Sequence, residues 1–299
     1  MHLFLIRHGE TEHNVAGVLA GVSDSRLTNH GVLQTQRLGQ YLTTHRNLSF
    51  TRIYASDLQR AFMTAEEIQK NQLAHRNGDH LVPSVVKLDL LREQDFGSLE
   101  LVRWAGQQTH DVFGRRVPSS DDPAFRPGES TEAMTARAET FLADFILPLF
   151  ATQDPPPDSA SECVAVVSHG LFLSILWQTL LTKLEVDNVS LGPDIESFGY
   201  SRPLAYLPSW SNTAFLELTI HRPEASVPTA ELARELDTKP MEVPLPLSGH
   251  SMTVHAINGK DHLVDLKRAR GGLGSSAYDS RQKSLDGFFK RPRGDGSNA

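Results

Sequence analysis

From residue 2 to about residue 220, short apolar runs alternate with longer stretches in which apolar side chains recur every three or four positions. The first pattern predicts strands and the second predicts amphipathic helices. His2 to Ile6 opens the series and breaks at Arg7-His8-Gly9. Thr28 or Asn29 can cap a helix to about His45, with Val32, Leu33, Leu38, Tyr41 and Leu42 as its apolar face. Phe50 to Ala55 predicts a second strand. Ser56 then caps a helix marked by Leu58, Ala61, Ala65 and Ile68. Val85 to Leu88 predicts a short third strand, and Pro118, Pro123 and Pro127 interrupt the stretch from Trp104 to Gly128. Glu129-Ser130-Thr131 opens a helix to about Leu147. Cys163 to Val167 is continuously apolar, as a central parallel strand is, and Leu171 to Leu181 is apolar nearly all round, as a buried helix is. Phe215 to Ile220 alternates as a further strand. Strands alternating with helices predict βαβ units and a mostly parallel sheet.

Beyond Pro223 the pattern weakens. Thr229 to Leu236 has the spacing of a short helix, and Met252 to Ile257 and His262 to Leu266 flank Asn258-Gly259, a hairpin turn signal. Pro155-Pro156-Pro157 predicts an exposed loop, and Asn188 to Pro208 a loop or lid. From Lys267 onward Gly, Ser, Arg and Lys dominate, which predicts disorder. The expected organisation is a domain over 1–222, an extension over 223–266 whose hairpin packs on it, and a disordered tail over 267–299. The formal charge of −7 conceals an asymmetry, because Lys267 to Arg293 holds eight Lys/Arg against two Asp/Glu. An acidic body therefore carries a basic tail. One cysteine, Cys163, excludes an internal disulfide and suits a reducing compartment. The four apolar residues before Arg7 are too few for a signal-peptide core. The expected location is intracellular, cytoplasmic and/or nuclear.

Ligands bind at the carboxyl ends of strands in open α/β sheets. His8 follows the first strand. Ser168-His169-Gly170 repeats the setting: strand, His, Gly, helix. Arg60 lies in the first turn of its helix, and helical side chains lean toward the N-terminus, so it points to the same rim. Arg7, Arg60, His8 and His169 then form a cationic pocket suited to a phosphate. A neutral imidazole at His8 is the candidate nucleophile, with the other three clamping the phosphoryl oxygens. An alkoxide leaving group needs a proton, and Glu93, within Leu91-Arg92-Glu93-Gln94-Asp95-Phe96-Gly97, is the candidate acid. His75, His80 and His110 lack metal-ligand spacing and read as surface residues.

Five motifs, in order, resemble the histidine phosphatase (phosphoglycerate mutase-like) superfamily. They are Arg7-His8-Gly9-Glu10-Thr11 with Asn14; Gly21, Asp24, Leu27-Thr28, Gly31 and Gln34; Ser56 to Ala61 with Thr64-Ala65; Leu91-Arg92-Glu93 with Phe96-Gly97 and Glu100; and Val167-Ser168-His169-Gly170. Asn212-Thr213-Ala214 fits as well. The resemblance spans about residues 1–220. It implies a three-layer α/β/α sandwich and a phosphohistidine on His8. It also implies Arg7, Arg60 and His169 as phosphate ligands, with Gly170 beside them, and Asn14 and Gly21 lining the site. Glu93 is implied as proton donor, with no metal and no cofactor. One departure stands out: Leu101 follows Glu100 where the family often has Gly. Between Gln94 and Pro123 the only basic residues are Arg103, Arg115 and Arg116. That is few for gripping a mutase substrate, so the expectation is a hydrolase. The alternatives are mutase-type phosphotransfer or a phospho-ligand-binding interaction protein. Specificity is expected in Leu99 to Arg126 and Asn188 to Pro208.

In the tail, Gln282-Lys283-Ser284-Leu285-Asp286-Gly287-Phe288-Phe289 resembles the PIP-box that binds the sliding clamp PCNA. In one 3₁₀ turn Leu285, Phe288 and Phe289 share a face, with Gln282 for a neighbouring polar pocket. Lys290-Arg291-Pro292-Arg293 follows and could face an acidic clamp surface or serve nuclear import. No nucleic-acid or membrane contact is expected.

Overall fold

The computed structural model describes residues 1–75, 82–105, 109–150, 162–197, 203–207, 210–222, 245–270 and 272–279. Its centre is a sheet of seven strands: β1 (His2–Arg7), β2 (Arg52–Ser56), β3 (Val85–Leu88), β4 (Cys163–Ser168), β5 (Val189–Leu191), β6 (Phe215–His221) and β7 (Ser251–Gly259). Their spatial order is β3-β2-β4-β1-β6-β7-β5. The first four run parallel, and β6 pairs antiparallel with β1.

Alternation along the strands sends side chains to two faces, and each face is covered. Leu3, Leu5, Val164 and Val166 pack with Phe141, Phe172, Leu176 and Trp177. These last belong to α4 (Thr131–Phe141) and α5 (Gly170–Leu181). Phe4, Ile6, Ala165 and Val167 pack with Leu38, Ala61, Ala65 and Ile68 on the other side. Those belong to α2 (Asn29–Gln40) and α3 (Gln59–His75). This is the expected three-layer α/β/α arrangement. Two of the predicted caps are present, whereas Ser56 ends β2 and the Gln59 amide at the head of α3 is taken by Asp24. Thr28 Oγ1 accepts the Gly31 amide at 2.9 Å, and Ser130 Oγ the Ala133 amide at 3.2 Å. Both helices run on through a turn of π-helix, Tyr41–His45 and Leu142–Ile146. The short helices α1 (Glu12–Ala16) and α6 (Pro193–Ser197) complete the set. No helix among the described residues is long and apolar enough to cross a membrane.

The segment after residue 245 departs from expectation in two ways. First, Asn258-Gly259 does not turn a hairpin. β7 adds to the open edge of β6 and buries Met252 and Val254, which a free hairpin would leave outside the sheet. Past Gly259 the chain makes a 3₁₀ turn, Asp261–Leu263, that buries His262 against the Phe215 ring. Second, residues 267–270 and 272–279 are not a disordered tail. Arg268 pairs with Glu10, Asn29 donates to the Ser276 carbonyl at 3.0 Å, and Tyr278 to that of Leu27 at 2.8 Å. Long-range pairing of this kind is invisible to composition. Within the predicted lid, Val189–Leu191 is a strand that pairs with β7. The Pro155 loop, the 229–236 helix and the clamp-binding motif at Gln282, Leu285, Phe288 and Phe289 lie outside the described residues.

Candidate active site

Register brings the two histidines together. β1 and β4 are paired so that Arg7 lies opposite Ser168, and each strand then delivers a histidine at its next residue. The two imidazoles lie 5.1 Å apart, centre to centre, and both are buried. His8 Nδ1 lies 2.7 Å from the Gly9 carbonyl oxygen. A carbonyl only accepts, so Nδ1 carries the proton and Nε2 of the neutral ring carries the lone pair. His169 is the opposite tautomer. Its Nδ1 accepts from Arg60 Nε at 3.2 Å, which puts its proton on Nε2. Both rings are pushed well below the ordinary imidazole pKa of 6.5. Burial is the main cause for each, followed by Arg60, and then by Arg7 for His8 and by His8 and Arg7 for His169.

Arg60 enters from the first turn of α3 and is 1% exposed. Burial brings its pKa down to about 10, against the pull of Glu93, Asp24 and Glu100, so it remains a cation at neutral pH. Besides His169 it donates to the carbonyls of Ser23, Ala20 and Gly21, at 2.9, 3.0 and 2.7 Å. Glu100 holds the same loop by its amides. It accepts Gly21, Val22 and Ser23 N–H at 3.1 to 3.2 Å, and Phe96 N–H at 3.0 Å. Gly21 is required there, because a Cβ would fall 1.9 Å from the Gln94 carbonyl oxygen. Both polar groups of the Gly21 backbone are thus used inside the protein, by Glu100 and Arg60.

Glu93 sits at the other side of the pocket. Its carboxylate accepts the Leu171 and Phe172 amides at 3.2 and 2.9 Å, and that of Gln94 at 3.1 Å. The N-cap of α5 is His169, whose ring is turned elsewhere, so Glu93 satisfies first-turn amides that would otherwise lack partners. Two arginines fix its backbone. Arg92 pairs bidentately with Asp57 at the head of α3, and Arg137 donates to the carbonyls of Leu90 and Arg92.

Arg7, His8, Arg60 and Glu93 line one cavity of about 330 Å³, together with Asn14, His13, Phe96, Trp104 and Asn212, while His169 lies behind His8. Gly170 starts α5 against the Arg7 guanidinium, with room for a Cβ at 3.7 Å from Arg7 Nε. Arg7 donates to the Trp210 carbonyl, and burial lowers its pKa against the opposing charge of Glu93. Arg7 Nε and His169 Nε2 are buried without hydrogen-bond partners. Each such donor costs about 1–3 kcal/mol while unpaired, and two donors beside two cations fit the oxygens of a phosphoryl group. Asn212 was visible in the sequence only as part of a motif. It donates to the His8 carbonyl at 3.2 Å and to Asn14 Oδ1 at 3.1 Å. Trp104, His13 and Arg268 carry no local signal at all.

Residues 3–192 match the histidine phosphatase superfamily (branch 1), and the chain belongs to that superfamily of enzymes. Over 288 residues it is 30% identical to "Probable phosphatase C1620.13" of Schizosaccharomyces pombe, covering 96% of this chain and 79% of that protein. Over 205 residues it is 30% identical to a 2,3-bisphosphoglycerate-dependent phosphoglycerate mutase of Rhizobium etli, covering 64% of this chain and 88% of the mutase. Among solved structures, a mycobacterial glucosyl-3-phosphoglycerate phosphatase in complex with inorganic phosphate shares the fold. The TM-score is 0.52 at 20% identity, covering 87% of this chain and 98% of that one.

Proposed function

We propose that the protein hydrolyses a phosphomonoester through a phosphohistidine on His8. The observation that carries the reading is the tautomer pair. His8 Nε2 bears a lone pair in a pocket lined by Arg7 and Arg60, with the His169 ring and its Nε2–H 5.1 Å from the His8 ring. His8 Nε2 attacks phosphorus, and the bond to the ester oxygen breaks. The cationic groups take the charge on the equatorial oxygens. Glu93, acting in its acid form, gives a proton to the leaving oxygen. The carboxylate then takes a proton from the water that attacks phospho-His8, releasing phosphate and restoring both groups.

Hydrolysis is preferred to mutase-type transfer on the lining itself. Among the described residues it holds no lysine and no arginine beyond Arg7 and Arg60, so it offers a second anionic group no further Lys or Arg. Its other wall is Phe96, Val18, Leu19 and the exposed indole of Trp104, which suits a single phosphate on a flat or apolar leaving group. With an aryl phosphate, His8→Ala lowers kcat/KM by at least ~10³-fold, and Glu93→Gln slows poor leaving groups more than good ones. Turnover by His8→Ala at the parent rate overturns the mechanism, and equal losses for both leaving-group types remove Glu93 as the acid.

The tail motif adds an address. Gln282, Leu285, Phe288 and Phe289 are read as a PCNA-binding plug, in a protein working in the cytoplasm and/or nucleus. The support is the residue pattern alone. A peptide spanning Arg281 to Arg293 is expected to bind PCNA and to lose binding with Phe288→Ala plus Phe289→Ala. Binding that ignores both changes, or no binding, ends the idea.

A further inference from the structure

We propose that the C-terminal extension holds the Arg7–Thr11 segment in its working geometry, with Arg268 on Glu10 as the positioning contact. The kinetic part of the test rests on the phosphatase reading; the structural part does not.

Glu10 follows His8 by two residues and is 8% exposed. Its backbone is gripped from α2. The amide donates to Gln34 Oε1 at 3.0 Å, and the carbonyl accepts the Thr28 amide at 2.9 Å. Gly31 lies so close that a Cβ would fall 2.0 Å from the Glu10 carbonyl oxygen. Its carboxylate, however, faces away from the pocket toward the extension. It accepts the Thr28 hydroxyl at 2.8 Å and both terminal nitrogens of Arg268, Nη1 on Oε1 at 2.8 Å and Nη2 on Oε2. Among the described residues, Arg268 is its only ion-pair partner.

Arg268 is itself fixed. Nη1 also donates to Ser275 Oγ at 3.0 Å, and its Cγ presses on Gly274, where a Cβ would fall 2.5 Å away. The strand of chain beyond it is tied to Leu27 and Asn29, the entry to α2. A second contact from the same extension reaches the other side of the loop. His262 Nε2 lies 2.9 Å from Thr213 Oγ1, and the Thr213 amide donates to the His8 carbonyl at 3.1 Å. Thr213 has φ +57, a backbone that β-branched residues rarely adopt, so it needs such support. The His8 carbonyl and the Glu10 carboxylate are therefore both secured, directly or through one residue, by a segment about 250 positions away.

Arg268 is 39% exposed, but the Glu10 side chain only 10%, so removing the arginine leaves a nearly buried carboxylate without its cation, and the simplest relief is for Glu10 to move toward water. Moving Glu10 shifts His8, and displacements near 1 Å in a reacting group cost up to ~10²-fold in rate. The group acts through His8 and touches no substrate, so the loss falls on kcat.

The experiment uses the full chain, with p-nitrophenyl phosphate as substrate and hydrogen exchange of the peptide covering residues 7–14. Arg268→Ala is expected to lower kcat about 10-fold with KM within about twofold, and to speed exchange at the Glu10 amide. Arg268→Lys keeps the charge but not the fork, and is expected to fall between Ala and wild type on both readings. Should Arg268→Ala not fold, Arg268→Lys decides. Unchanged kcat, or unchanged exchange over residues 7–14, in a folded Arg268 variant overturns the proposal. If wild type itself has no turnover, the phosphatase reading fails and the exchange result still decides the role of Arg268.

Discussion

His8 illustrates how much a single side chain owes to its immediate acceptors. One carbonyl, that of Gly9, fixes its tautomer, and two neighbouring guanidinium groups with complete burial keep it neutral. The sign matters for function. A pKa lowered by burial, Arg60 and Arg7 keeps the lone pair available as pH falls through the ordinary imidazole range. His169 is lowered in the same way, so its Nε2–H is a neutral donor. In an NMR titration, both rings are expected to stay neutral through 6.5, the ordinary value. A protonation midpoint at that value for either ring contradicts the account. The sequence made these two residues legible because each follows an apolar run and precedes Gly. Their tautomers were not legible, since those depend on the acceptors each nitrogen meets.

At the scale of elements, the loop at Leu99–Trp104 shows how a departure from a family pattern is accommodated. Leu101 stands where the superfamily often has Gly, and its φ is +65. The glycine-type backbone has been kept with a side chain on it. It is kept because two partners hold it: the Leu101 amide donates to the Leu19 carbonyl at 2.7 Å, and its carbonyl accepts the Val112 amide at 3.0 Å. Left-handed backbone costs an ordinary residue about 1–2 kcal/mol, part of which glycine forfeits through its freer unfolded chain. Leu101→Gly is therefore expected to raise stability by roughly 0.5–1 kcal/mol in a urea titration. A loss of stability would mean that the packing of the leucine outweighs the strain. Trp104, at the far end of this loop, stands over Gly17 and walls the pocket, so the loop shapes the cavity without belonging to the histidine and arginine set.

Across the whole molecule, the sheet separates two polar centres. The site lies at the carboxyl ends of β1 and β4. Glu217 of β6 lies toward their opposite ends, 4% exposed. It accepts both terminal nitrogens of Arg46, at 2.8 and 2.7 Å, and lies 2.8 Å from His2 Nε2. Burial alone would raise its pKa, but the hydrogen bonds of Arg46 and His2 prevail and hold it at about 2. A carboxylate depressed in the folded state contributes stability above its ordinary value of 4.5, and that contribution is lost as pH falls toward about 2. Between those limits, the wild-type chain is expected to lose more stability than Glu217→Gln, read by urea unfolding at several pH values. Parallel losses in the two proteins would remove Glu217 from the acid response.

What the sequence determined alone was local and periodic. Apart from the short elements α1, β5 and α6, strand and helix order through Ile220 followed from apolar spacing, and the motifs around His8, Arg60, Glu93 and His169 were readable because each lies at an element boundary marked by Gly, Ser or a charge. Its failures came where the partner was distant. Asn258-Gly259 carried a hairpin signal that the open edge of β6 overrode by offering a longer apolar contact. Lys267 to Asp279 had the composition of disorder, yet Arg268 found a buried carboxylate on the far side of the sequence. Periodicity reports which way a side chain faces. Which charge it meets there is decided only when the sheet brings residue 10 and residue 268 together.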